Sequence, residues 1–511
     1  RWLAADPLLP PTPDALLHDL ASLRIRRSWD YGAEALGHFL WWKSGLHRLT
    51  LEALNGVPNK GRCERLIEVM VLNRLADPQS KWGLLTRWLS ASSAPLFVGL
   101  TADRLHDNLF YRALDRLWVR QDALETRVYR QIVRPLARHP EILYHDTTST
   151  YFEGNASEMA AWGHAPDHRL DRPRVKWGMV VTSEGLPVTF QVFPGNTKDD
   201  TTVHPMRERL TRVFGMTGGI YVGDRGMKSD QEIADLASHG FHWILAVRSK
   251  DVEEVLLAAT KQPVVAVSEK NEAREVIADD GRYIVLRNEE RREEELATLA
   301  RRRVEGEVIL RRWRKRVGKW EHHEVLKGVQ TELSEAHLLD LFDVSIDEAT
   351  IQGLLARLKA KVAFRRKWAG WWVLKTDTEL PTERVAQVYQ ELAVIERDWH
   401  VVKGPLSVRP LYHRLERRIG GHLLICQLAL LVTRLIELRV REAGVKDAEG
   451  QLLTGSGALE AFHTVKANEA ELPGTGVRRI VITDSTALQG RVLTAVGLDP
   501  GRFQAGWSRL L

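Results

Sequence analysis

The sequence predicts a mixed α/β protein, and three observations carry that expectation. Helix-spaced apolar residues fill the region before about residue 138. Strand-forming and helical runs then alternate from about 141 to 247. Between about 250 and 370 the rhythm breaks, which marks an insertion. The composition suits a large folded chain: of 511 residues, 44% are hydrophobic and 27% charged. At roughly 150 residues per domain, that length suggests about three domains. Lys plus Arg exceed Asp plus Glu by 73 − 67 = 6, too mild an excess to announce a nucleic-acid partner alone. Two distant cysteines, Cys63 and Cys426, offer neither a disulfide framework nor a zinc pattern, and fit a reducing compartment. No secretory signal is visible at Arg1-Trp2-Leu3-Ala4, so a cytoplasmic protein is expected. The most apolar stretch, Leu423 to Val432, is too short to span a bilayer and is expected as a buried helix.

Each element follows from its residues. Leu66 to Leu75 has helical spacing, and so has Asn108 to Val133, with Leu109, Leu114, Leu117, Leu124, Val128 and Ile132 as apolar marks. Residues 1–138 are therefore expected as a helical N-terminal domain. Arg24, Arg26 and Arg27 cluster near its start, so its basic faces are either solvated or DNA-binding. Glu141 to Phe152, Val175 to Val181 and Pro187 to Phe193 read as strands, the last two joined by a turn at Ser183-Glu184-Gly185. A helix from Thr202 to Phe214, a strand at Gly219 to Gly223, a helix at Asp230 to Ser238 and a strand at Phe241 to Val247 follow. The order βββαβαβ matches the ribonuclease-H-like arrangement, a mixed sheet. Residues 139–250 are thus its first part and 371–445 its second, with a strand at Trp371 to Thr376 and long helices at Thr382 to Val402 and Leu411 to Ala443. The interruption at 251–370 holds a charged helix, Asn288 to Arg303, and strand-like pieces at Tyr283 to Leu286 and Val308 to Trp313. It is expected as a β-rich insertion outside the sheet. Residues 446–511 read as a loosely packed tail with a strand at Ile480 to Ile482.

Carboxylates carry the candidate chemistry. Asp146 ends the first strand and Asp224 follows the fourth, so the proposed sheet sets two carboxylates on one open edge. A single Asp at a strand end is ordinarily a cap, so a third acid is needed before a shared divalent metal makes sense. Glu396 supplies one. Residues seven apart on a helix differ by about −20°, so Tyr389, Glu396 and Lys403 share a stripe with Leu392 and His400. A buried stripe is more uniformly apolar than this. An ordinary charged surface face gives the same spacing.

These residues resemble a known family, the insertion-sequence DDE transposases of the cut-and-paste type, in the branch with a Y-x2-R-x3-E-x6-K signature. Here that reads Tyr389, Leu392, Glu396 and Lys403, with Leu in place of the Arg. His145-Asp146-Thr147-Thr148-Ser149 and Gly223-Asp224-Arg225-Gly226-Met227 match the first two motifs. Phe193-Pro194-Gly195-Asn196-Thr197, Arg409 to Arg414 and Gly421 to Cys426 match as well, so the likeness runs from about 105 to 435. It implies a metal-binding triad of Asp146, Asp224 and Glu396, with Asp146 bridging two Mg²⁺ ions (Mn²⁺ as a substitute). Two such ions activate the attacking oxygen and stabilise the leaving one. It also implies terminal-inverted-repeat binding by the N-terminal domain, strand cleavage and strand transfer, double-stranded DNA as partner at element ends and target, a homodimer on paired ends, and a nucleoid-associated place in a bacterial cytoplasm. Lys403 would hold a phosphate, and Trp372 in Trp372-Val373-Leu374-Lys375-Thr376 would stack an unpaired base. Tyr389 and Arg225 belong to the same DNA-contacting set. Leu392 cannot make the phosphate contact that the signature Arg makes to the flipped base, and Arg397 or Lys375 would have to substitute for it. An inactive DNA-binding descendant, and a nuclease unrelated to mobile elements, are the rival classes. Of the 17 tryptophans, Trp41, Trp42, Trp118 and Trp162 are expected in cores or interfaces. Trp313 and Trp320, among Arg311, Arg312, Arg314, Lys315, Arg316 and Lys319, either face DNA or pack beneath a charged hairpin.

Overall fold

A computed structural model describes residues 23–100, 105–153, 157, 159–163, 171–317, 319–346, 354–358, 360–472 and 477–506. The chain runs β1 (Arg24–Asp30), α1 (Gly32–Lys43), α2 (Lys60–Ala76) and α3 (Asp107–Val119). Next come β2 (Ile142–Tyr151), β3 (Arg174–Val181), β4 (Pro187–Pro194), α4 (Val203–Phe214), β5 (Gly219–Gly223), α5 (Asp230–Ser238) and β6 (Phe241–Val247). Then follow β7 (Val265–Ala266), β8 (Asn271–Ala278), β9 (Gly281–Asn288), α6 (Glu289–Arg314), α7 (His322–Glu335), β10 (Phe342–Ile346), β11 (Leu354–Leu358) and β12 (Trp371–Thr376). The last are α8 (Thr382–Glu391), α9 (Ala393–Lys403), α10 (Glu416–Glu442), β13 (Lys466–Leu472), β14 (Val477–Ile482) and α11 (Ala487–Val496). The fold is mixed α/β, and the order βββαβαβ read from the sequence is the order from β2 to β6. Two compact units are present. One holds the residues up to Tyr221, Ser238–Gly240 and those from Leu392 onward; the other holds Val222–Ala237 and Phe241–Glu391.

In the first unit, β2, β3 and β4 form an antiparallel meander. Gly185 turns β3 into β4 at φ +76°, and a Cβ there would meet Val394, Arg434 and Asp398 at 2.9 to 3.2 Å, so only glycine fits. β5 enters beside β2, where the Ile220 N–H donates to the Glu141 carbonyl at 2.7 Å. The helices gather around α10, which is 27 residues long and apolar enough by composition to cross a membrane. Its most apolar window is wholly buried inside the protein, so it is the core helix expected at Leu423 to Val432. Gly420 and Gly421 let it approach α3: a Cβ would come within 2.4 Å of the Trp118 ring or 2.6 Å of the Leu114 carbonyl. The N-terminal region is not purely helical. Its first described residues form β1, because they pair with β13 near the other end of the chain, and β13 pairs with β14. The residues after 445 are not loose either. Val492, Leu493 and Phe503 are buried, and the Tyr31 hydroxyl donates to the Phe503 carbonyl at 2.9 Å.

The helices α1 and α2 bury carboxylates. Trp41 Nε1 donates to Glu64 at 2.8 Å, and His38 Nδ1 lies 2.6 Å from Glu68. Burial, joined by the Glu68 carboxylate, pushes Glu64 up to about 8. The folded protein therefore holds a proton there that the unfolded chain releases near pH 4.5. The stability tied to it is full below that pH and is lost as pH rises through about 8. Glu64→Gln keeps an acceptor for Trp41 without the titration. Its melting temperature relative to wild type is expected to rise steadily from pH 5 to pH 9. A difference that stays flat across that range in calorimetry overturns this assignment.

In the second unit, β6, β12, β9, β8 and β7 are successive antiparallel neighbours. The region from 251 to 370 therefore differs from the expectation in two ways. Its hairpin β8–β9 joins the sheet through β12 instead of lying outside it. Its remainder is dominated by helices, not strands: Val308 to Trp313, expected as a strand, is the last part of α6. Asn288 caps that helix by accepting from the Arg291 N–H, and the pair Arg303–Glu307 staples its exposed side. Leu310 and Trp313 point the other way, into a small core with Val325, Val329 and Leu333 of α7 and Phe342 of β10. Trp313 is thus the buried member of its pair, and Trp320 is half exposed, with the Arg316 guanidinium over both rings at 4.3 and 5.1 Å. A Cβ at Gly328 would sit 2.0 Å from the Trp313 ring. Gly328→Ala is expected to expel that ring at a cost of ~1–3 kcal/mol. Faster amide exchange confined to α6 and α7 is the measurement; unchanged exchange refutes it.

Candidate active site

Asp146 lies within β2, not at its end as expected, because β2 stays paired with β3 on to Tyr151; its partner on β3 is Met179. Side chains two apart on a strand share a face, and so do cross-strand partners. Asp146 therefore shares its face with Thr148 and, through it, with Trp177, which is fully buried. Helix α9 covers that face. Its Trp399 stands edge-on to Trp177 with centroids 5.1 Å apart, and its indole N–H donates to Asp146 Oδ2 at 3.0 Å. Glu396 is one turn before Trp399, at the i, i+3 spacing that shares a helix face. It is exposed, as are Arg397 and His400, while Lys403 ends the helix half-buried. Sequence reasoning missed the Trp399 contact, whose one signal is an aromatic at i+3 from Glu396.

The other face of β2 is structural. His145 is fully buried and hydrogen-bonded to the Tyr221 hydroxyl, and burial pushes it down to about 3, so it is neutral. Thr147 donates to Asp199 at 2.6 Å, and Lys176 pairs with the same carboxylate. Burial would raise Asp199, but the hydrogen bonds from Lys176 and Thr147 outweigh it and hold the carboxyl below its usual range. Sequence reasoning missed Asp199, two residues past the Phe193 to Thr197 motif. That motif is a close crossing: a Cβ on Gly195 would meet the Arg174 and Ala161 carbonyls at 2.2 and 2.5 Å. Trp162 beside it is 63% exposed, not a core residue, and Trp42 is exposed as well. The Arg409 to Arg414 motif also has a structural role. Leu411 exchanges backbone hydrogen bonds with the end of β2, donating to Tyr151 and accepting from Glu153, both at 2.9 Å. His422 is buried with Nε2 3.3 Å from the Val408 carbonyl.

Tyr221→Phe would leave the buried His145 Nδ1 without its partner. It is expected to cost ~1–3 kcal/mol in urea unfolding with little change in m-value. An unchanged midpoint overturns the role given to this pair.

Asp224 and Tyr389 belong to the second unit. Asp224 follows β5 at the surface, starting a short 3₁₀ turn in which the Met227 N–H donates to its carbonyl at 3.0 Å. Gly223 before it is tight, since a Cβ would lie 3.1 Å from Leu245 and from Met227. The Tyr389 hydroxyl reaches Asp224 Oδ1 at 3.4 Å, a long hydrogen bond, so the two signature residues of this unit do meet. Arg225 is exposed. Trp372 is half-buried on β12, with the Arg291 guanidinium 5.0 Å above its ring. Lys375 is no substitute for the missing Arg: it is 8% exposed and committed to Asp280 at 2.7 Å.

The helix expected over Thr382 to Val402 is two helices. Leu392, buried, stands between α8 and α9, and the Ile395 N–H returns to its carbonyl at 3.1 Å in a tighter turn. Tyr389 and Glu396 therefore belong to different helices, and one continuous stripe does not describe them. Among the described residues no three His, Cys, Asp or Glu side chains are gathered as a metal cage. In donor chemistry, two aspartates and a glutamate without thiol or imidazole fit a hard divalent cation.

The chain matches the family described as "Transposase DDE domain" over residues 137–432, more than half of its length, and it belongs to that family. The protein is accordingly a DNA transposase, an enzyme of nucleotidyl transfer. Comparison with curated proteins finds no match. Among solved structures it is similar to the piggyBac transposase in a synaptic complex with hairpin DNA, at 10% identity and a TM-score of 0.40, covering 84% of this chain and 79% of that one.

Proposed function

We propose that this transposase binds the terminal inverted repeats of an insertion sequence, cuts at both ends and joins the freed 3′ ends to target DNA. Asp146, Asp224 and Glu396 are the proposed ligands of Mg²⁺, with Mn²⁺ as a substitute. The observation that carries the reading is the Trp399 indole on Asp146. It ties the helix of Glu396 to the strand of Asp146 in a chain of the DDE family. Three carboxylates leave most of the coordination shell of hard cations to water and phosphate oxygens. Metal bound there would activate the attacking oxygen and stabilise the leaving one.

The rest is the work of the chain's own residues. Trp399 holds one oxygen of Asp146 and so orients the carboxylate. Tyr389 does the same for Asp224. Arg225, Arg397 and Lys403 are assigned to backbone phosphates, and Trp372 to an unpaired base. Paired ends call for a homodimer, and the expected place is the nucleoid of a bacterial cytoplasm. The βββαβαβ order from β2 to β6 supports a ribonuclease-H-like catalytic domain, and Tyr389, Glu396 and Lys403 at the signature spacing support the Y-x2-R-x3-E-x6-K branch. The rival, a catalytically inactive DNA-binding descendant, rests on one observation: the position of the signature Arg is filled by Leu392, buried at a helix junction.

The deciding experiment is cleavage of a labelled duplex carrying the element's own ends, with Mg²⁺, Mn²⁺ or EDTA. Wild type is expected to cut at the end boundary only with metal. Asp146→Ala, Asp224→Ala and Glu396→Ala are each expected to lower the rate by at least ~10³-fold with binding retained. Binding without cutting by the wild type selects the inactive descendant. Cutting by all three variants removes the triad.

A further inference from the structure

The sheet β1–β13–β14 projects a charge pattern that neither the triad nor the helical bundle uses. Among the described residues β1 and β14 are its outer strands, and β1 is met at its end by the Ser93 N–H, which donates to the Asp30 carbonyl at 2.9 Å. Register fixes the rows across it: Arg24, Glu471 and Arg478 form one, and Arg27, Glu469 and Ile480 the next on the same face. A bulge at Arg26 adds a fourth arginine to this face, paired with Glu471. Arg478 reaches Glu471 at 3.8 Å and Glu469 at 4.0 Å. Four guanidinium groups thus surround two carboxylates. The arginines stay accessible, with Arg26 53% and Arg478 59% exposed. On the same face Ile480 is 37% exposed, while the exposed Ile25 and Val481 lie on the opposite face, in the rows of Ala470 and Asn468. The other end of the sheet is anchored. The Tyr31 and Gly32 N–H groups donate to the Val465 carbonyl at 3.1 and 3.2 Å, and a Cβ on Gly32 would strike the Phe462 carbonyl at 2.3 Å.

We propose that this three-stranded sheet, built from both ends of the described chain, is a sequence-reading DNA element that enters the major groove. The proposal rests on the transposase reading and says which surface reads the DNA. A narrow antiparallel sheet fits the major groove. Arginine reads guanine there with two parallel hydrogen bonds, and aliphatic carbons meet the thymine methyl. Glu471 already holds the Arg26 fork in place, so less side-chain freedom is lost on binding. The surplus positive charge attracts phosphates. Charge also decides against a second copy of this chain on the same face, because a self-complementary contact would bring two arginine-rich faces together.

The test uses the full chain and a pool of random-sequence 30-base-pair duplexes. Wild type is expected to enrich one motif containing guanine. Arg26→Gln with Arg478→Gln is expected to lose that motif and to bind the selected duplex at least about tenfold more weakly, with its melting temperature unchanged. Arg26→Lys is expected to keep the affinity for mixed-sequence duplex and lose only the guanine preference. Should the double variant unfold, the lysine variant alone decides. A variant that enriches the wild-type motif with wild-type affinity overturns the sheet as reader and leaves the transposase reading standing. A wild type that binds no duplex overturns both. A variant that changes only the association state in light scattering overturns the proposal in favour of an interface between copies.

Discussion

The first unit depends on one buried cation. Arg434 of the core helix α10 donates to Asp398 and to Glu437, both at 2.6 Å, with all three side chains nearly or wholly buried. Burial alone would lower Arg434, and its two carboxylates more than offset that. Asp398 is two residues past Glu396 and next to Trp399. The pair therefore fastens the Glu396 helix to the core, leaving Glu396 free to face outward. The same network supports the turn at Gly185, and Glu437 accepts from the Gly455 N–H at 3.3 Å. Removing one member of such a network strands a buried charge, at ~3–5 kcal/mol. The position of the proposed catalytic carboxylate is thus set by groups that never touch substrate.

Much of this was legible in the sequence, because strand periodicity and turn chemistry are local. The three meander strands, β5, β6 and Asp224 at the end of β5 are read from β-branched runs closed by Gly or Asp, while Asp146, expected at a strand end, lies within β2. The long core helix was read from its apolar residues. What failed was whatever tertiary contact decides. Val308 to Trp313 has strand-forming residues, yet it is helical, because Leu310 and Trp313 fall on the side that α7 covers. The break at Leu392 has no Pro or Gly to announce it. β1 read as part of a helical region because its partner lies more than 400 residues away, as the Arg26–Glu471 separation of 445 shows. In the site, the residue types were legible and their supports were not. Trp399 on Asp146, Asp199 under Thr147 and the Lys375–Asp280 pair all depend on elements meeting in space.

The structural roles of the matching motifs sharpen what a motif means. Gly195, Gly420 and Gly421 stand where a side chain would collide with backbone or with an indole. Gly195 and Gly421 belong to matching motifs and Gly420 adjoins one, yet packing is what fixes all three. Asp146 and His145 are chain neighbours on opposite faces of one strand, one directed to the helix of Glu396 and the other sealed against Tyr221. A strand alternates its faces, so one motif can serve catalysis and core at once.

The pairing of β1 with β13 also orders events during synthesis. β1 leaves the ribosome early, and its partner is made only after Ile436 and the rest of the core helix. Closing so long a loop is slow, and the ribosome adds about 5–20 residues per second. For that interval the edge of β1 has no strand to pair with, and its arginines oppose pairing with neighbouring chains. A message cut short before β13 therefore yields a polypeptide with the meander and its Asp146, yet without this sheet.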